Sequence, residues 1–179
     1  MTALNLKRHE LKQRTRGGFA FPLAYGMTMA IVAGMAFTLS PAVASMALLF
    51  QGVVALPVAF GIARLTSTNS PQDHPLNDLS AFLAGSQALA LPAYILVYSI
   101  DPLYLPMIFA CVGGMHFVPY VWLQSSKAWL VLATGMTFIP FWMVVMFGVT
   151  ATYAFIPLVL SLLLLATGGY VYLTSQTRV

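Results

Sequence analysis

Six apolar runs separated by short polar connections leave this chain few folds. Each run is about 20 residues long, the length that carries an α-helix across a roughly 30 Å hydrocarbon core at about 1.5 Å per residue. In lipid every backbone polar group must be satisfied within the segment, so consecutive apolar runs of this length read as spanning helices. Composition agrees: 60% of the 179 residues are hydrophobic, 7% are charged, and the mean hydropathy is +0.86. Water-soluble domains carry about 25% charged residues, so a globule with this composition could not cover its surface. The expected fold is all-α, a polytopic membrane protein of six transmembrane helices, several of them proline-kinked.

The runs are placed at 19–39, 42–62, 78–99, 103–123, 128–148 and 152–173. Residues 1–18 form a basic arm, 19–173 a single membrane domain and 174–179 a short tail. A basic arm ahead of an apolar run also suits a signal peptide, and Ala42-Val43-Ala44 offers a cleavage pattern. The first run exceeds the roughly 7–15 residues of a signal core, and a second apolar run follows at once, so an uncleaved span is expected. The arm is read as a solvated topogenic segment, with a short interfacial helix as the alternative, because Leu4 and Leu11 are seven apart.

Charge placement sets the expected topology. Of the eight Lys and Arg residues, five lie in the first sixteen positions, and the others are Arg64, Lys127 and Arg178. The odd-numbered connections contain none, which predicts both termini in the cytoplasm. The net charge of +4 therefore points to membrane topology, and no nucleic-acid partner is expected. A proline in the later part of spans two and five, Pro57 and Pro140, is too little to define an inverted repeat.

Polar groups inside the runs carry the functional expectation. Pro57, Pro92, Pro119 and Pro140 would each free the carbonyl four residues earlier, at Val53, Ala88, Met115 and Met136. Counted at about 1.5 Å per residue from the inner boundary, His116, Tyr25 and Thr134 lie roughly 10 Å deep, and Gln87 and Gln51 roughly 15 Å deep. Gly113, His116 and Tyr120 share one helix face by their spacing, the glycine leaving room beside the imidazole. An ionisable ring in hydrocarbon is expensive and reads as a functional-site hypothesis. The candidate ligand-binding set is His116, Tyr120, Gln87, Gln51, Tyr25 and Thr134, with Arg64, Asn77 and Asp78 at a cytoplasmic mouth. Asn77 or Asp78 is also expected to cap span three. The alternative is that these side chains hydrogen-bond neighbouring helices, each worth about 0.6–2 kcal/mol.

Several chemistries lack their residues. No Asp or Glu lies at mid-membrane depth, and a second intramembrane histidine is missing, so carboxylate coupling and bis-histidine haem within one chain are not expected. Cys111 stands alone, and neither a G-x-S-x-G elbow nor a Gly-rich phosphate loop occurs. No metal or cofactor is expected, and an intramembrane enzyme is the least favoured reading.

Pro75-Leu76-Asn77-x-Leu79, Gln87 and Gly114-x-His116-x-x-Pro119-Tyr120-x-Trp122-Leu123, with Ser126-Lys127, form a further pattern. It resembles that of a bacterial family of small six-span membrane proteins of unknown function. That family's pattern often carries asparagine where this chain has His74 and Ser86. The resemblance implies the six-span fold and marks these positions; it implies no activity. The function expected from the residues is binding or passage of a small solute, with His116 as a ligand-contacting or pH-responsive group. The alternative is a membrane sensor or accessory subunit, acting as a homo-oligomer or with a partner membrane protein.

Overall fold

The computed structural model of the protein describes residues 3–66, 74 and 76–176, apart from the side chains of Asn77, Ala81 and Gln176. It is helical: α1 Ala3–Arg14, α2 Ala20–Thr38, α3 Pro41–Thr66, α4 Asn77–Ser86, α5 Leu91–Ile100, α6 Leu105–Leu123, α7 Lys127–Phe147, α8 Val149–Thr152 and α9 Phe155–Gln176. Among the described residues, six helical segments are long and apolar enough to cross a membrane. These are α2, α3, the α4–α5 segment, α6, α7 and α9. Large apolar side chains such as Ile31, Val53, Phe82, Leu96, Val131 and Leu162 cover the outside, as a hydrocarbon solvent permits.

Two tight helix groupings make the bundle: α2 packs most extensively on α3 and α9, and α6 on α7. Small residues permit the approach. A Cβ on Gly26 would sit 2.8 Å from Leu165 Cγ, and one on Gly114 would sit 2.7 Å from the Ala133 carbonyl oxygen. This is the small-residue packing that substitutes for a hydrophobic driving force in lipid. The interior is filled by Met29, Leu48, Leu105, Leu132, Ile156 and Leu160, all buried.

Span three is broken. A 3-10 turn, Gln87–Ala90, separates α4 from α5, and Pro92 lies in the first turn of α5, where its missing N–H costs no helical hydrogen bond. Pro57, Pro119 and Pro140 instead lie within continuous helices.

The arm differs from the solvated segment favoured by sequence. It forms α1, and Leu11 is 1% exposed against the bundle while Leu4 and Leu6 stay exposed. Arg8 donates to the Trp122 carbonyl and lies over the Trp122 ring at 4.4 Å. Glu10 accepts from Arg14 at 2.6 Å and lies 3.7 Å from Nε2 of the buried His74. The chain then reverses through Arg16, Gly17 and Gly18, all at positive φ. At Gly17 a Cβ would stand 2.6 Å from Val171 Cγ1, so the reversal needs glycine for space as well as for backbone angle. The expected cap on span three is also displaced. Leu76 is the N-cap, without a side-chain bond, and its N–H donates to His74 Nδ1 at 3.2 Å. Asp78 sits in the first turn, where its carboxylate faces the positive helix end.

Candidate functional site

His116 lies on the face of α6 that turns into the bundle. Its imidazole meets the rings of Phe117 and Tyr120, each at 5.7 Å, and its Nδ1 is 3.4 Å from Ser86 Oγ at the end of α4. It lines a narrow hollow whose other polar groups are Tyr25, Gln87 and Tyr120. Phe21, Leu56, Ala84 and Trp129 complete its wall. The cavity volume is ≈ 20 Å³. That is about the space of one water, which needs roughly 10–15 Å³. A Cβ on Gly113 would come 3.6 Å from the Gln87 amide nitrogen, an ordinary contact, so the hollow does not depend on glycine at this position.

Below the hollow, at the end of the bundle that carries the arm, is a vestibule of ≈ 200 Å³. Phe19, Phe21, Phe60 and Ala63 give it apolar walls, and Arg14, Arg16, Asp78, Ser80 and Gln124 give it polar ones. Phe21 and Tyr120 line both cavities and form the neck between them. Tyr120 is held there by a hydrogen bond from its hydroxyl to the Ser80 carbonyl at 3.2 Å and by stacking on Trp129 at 5.3 Å.

The expected site residues divide. His116, Tyr120, Gln87 and Tyr25 meet around the hollow. Gln51 does not: it is 4% exposed, and its Nε2 donates to Thr28 Oγ1 at 2.8 Å and to the Tyr25 carbonyl at 3.0 Å, bridging α3 to α2. Thr134 does not either. It is exposed on the outer face of α7 and returns its hydroxyl to the Leu130 carbonyl at 2.8 Å. Counting along the axis gives no direction around the helix, and Thr134 points outward. Asp78 lines the vestibule, Arg64 is exposed away from its wall, and the Asn77 side chain lies outside the described residues.

Sequence reasoning missed two groups. Gln124, in the connection between α6 and α7, is 2% exposed, lines the vestibule, and its Oε1 has no hydrogen-bond partner among the described atoms. Arg16 forms part of the same wall, its guanidinium 5.8 Å from the Tyr172 ring centroid. Their signal was a glutamine beside an aromatic belt and an arginine directly before two glycines.

At the opposite end, hydroxyls tie the helix ends together. Ser45, fully buried, donates to the Pro102 carbonyl at 2.8 Å and lies 3.0 Å from the Tyr153 hydroxyl. That hydroxyl reaches the Pro41 carbonyl at 2.9 Å.

A family model described as "Family of unknown function (DUF7010)" matches residues 4–174. The chain belongs to that family. The match takes in α1 as well as the spans, so the docked arm lies within the DUF7010 region and is not an appendage to it. No curated protein and no solved structure matches this DUF7010 chain. With the six helices, the family places it as an integral membrane protein of unknown function.

Proposed function

We propose that the protein binds a small solute entering from the arm-bearing end, with the His116 hollow as the inner terminus of the path. The observation that carries this reading is the shared wall: the vestibule and the hollow meet at Phe21 and Tyr120. The positive-inside pattern supports a vestibule that faces the cytoplasm across an inner membrane. In this conformation the hollow admits about one water, so the neck opens for a solute to reach His116. The 3-10 break at Gln87–Ala90 supplies a place for that motion, because a mid-helix 3-10 turn is a usual hinge and Gln87 itself lines the hollow.

Cysteine accessibility tests this without knowing the solute. With Cys111→Ser as background, Ala84→Cys in proteoliposomes is expected to react with a membrane-impermeant cationic thiosulfonate offered at the arm-bearing face. Phe21→Ala is expected to speed that reaction severalfold. Equal labelling from both faces, or none in either variant, would reduce His116 to a helix-packing residue.

A further inference from the structure

We propose, resting on the solute-binding reading above, that the vestibule takes a small zwitterion: an anionic oxyacid group and a primary ammonium on an apolar body. The vestibule wall combines three demands. Arg16 offers a guanidinium that makes no ion pair among the described residues, whereas Arg14 is already engaged by Glu10 at 2.6 Å. Gln124 lines the same cavity; its amide oxygen is buried and without a donor, so the side chain turns for a guest to reach it. Asp78, exposed at the rim, adds a carboxylate to the same cavity. An unpaired buried acceptor costs free energy until a donor reaches it, and an anion alone would leave it unmet. A cation alone would leave Arg16 unmet and bring a second positive charge beside it. One molecule carrying both groups answers all three.

The remaining wall fixes the rest of the ligand. Phe19, Phe21 and Phe60 present rings to the cavity, which suits an apolar or aromatic side chain between the polar ends. A cavity of ≈ 200 Å³ is just below the range of about 300–1,000 Å³ that holds drug-sized ligands, so the guest is of metabolite size or is one lipid headgroup. Amino acids with apolar side chains and ethanolamine phospholipids share this chemistry. Choline lipids do not, because their quaternary nitrogen has no N–H.

The test uses three probes with one ring: L-phenylalanine, phenylacetate and phenethylamine, titrated into the full chain in phosphatidylcholine nanodiscs. L-Phenylalanine is expected to bind at least tenfold more tightly than either monoionic analogue. Arg16→Gln and Gln124→Leu are each expected to weaken it about tenfold, and Arg16→Lys to restore much of the loss, with thermal unfolding checking that the variants fold. Replacing phosphatidylcholine by phosphatidylethanolamine separates the sources: competition with L-phenylalanine identifies the headgroup as the occupant, and no competition identifies the free amino acid. If phenylacetate or phenethylamine binds as well as L-phenylalanine, the zwitterion assignment is wrong while the solute-binding reading stands. If no probe binds and ethanolamine lipid neither binds nor protects, the assignment is overturned, and the accessibility of Ala84→Cys still judges the path by itself.

Discussion

The Tyr120 hydroxyl donates to the Ser80 carbonyl across 3.2 Å, so the phenol that walls both cavities also ties α4 to α6. Tyr120→Phe keeps the ring on Trp129 and removes only this bond, at a cost of about 0.5–1.5 kcal/mol. Amide hydrogen exchange is expected to rise in α4 and to stay unchanged in α7. Unchanged exchange in α4 would mean that the bond does not hold this half of span three.

Gly114 and Gly34 make a matched pair. A Cβ at Gly114 would press on the Ala133 carbonyl at 2.7 Å, whereas nothing lies within 4 Å of one at Gly34. Gly114→Ala is expected to destabilise the protein by about 1–3 kcal/mol, the cost of overpacking. Gly34→Ala is expected to be neutral or to stabilise by up to about 1 kcal/mol. Thermal unfolding in one detergent gives the comparison, and equal shifts would contradict the close contact of α6 with α7.

Gln51 is predicted to matter for stability and not for ligand. A double-mutant cycle of Gln51→Leu with Thr28→Val should return a coupling of about 0.6–1.7 kcal/mol, the range of interhelical hydrogen bonds in membranes. L-Phenylalanine affinity should be unchanged in both single variants. A large loss of affinity would return Gln51 to the site.

Leu11 holds the arm. Because it is 1% exposed, Leu11→Ala removes a buried side chain and should cost the arm about 2–5 kcal/mol of docking. Trypsin should then cut after Lys7, Arg8 or Lys12 faster than in the parent protein, with the helical signal of the bundle retained. Unaltered cleavage would show that Arg8 on Trp122 suffices to keep the arm in place.

What could be read from residues alone followed from the solvent. A run must be apolar and about 20 residues long to span lipid, so all six spans were visible to within a few residues. His116, Tyr120, Gln87 and Tyr25 were also legible, because polar groups in such runs turn inward. Thr134 was misplaced because its short hydroxyl satisfies itself on its own helix and needs no interior. Gln51 turned inward as expected but found its partners on α2. Gln124 and Arg16 were invisible because the vestibule is made by the reversal at 16–18, a tertiary event that hydrophobic periodicity does not encode. The helix of the arm was underweighted for the same reason: its single buried leucine is no pattern until the bundle supplies a surface.

Ser45 and Tyr153 knot the starts of α3 and α6 to the approach of α9, at the rim farthest from the arm. On the proposed solute-binding reading, a bundle pinned at this rim exchanges its guest through the arm-bearing end. Each hydroxyl has one proton, and both protons go to backbone carbonyls, so the two oxygens stand 3.0 Å apart because three chain segments hold them there.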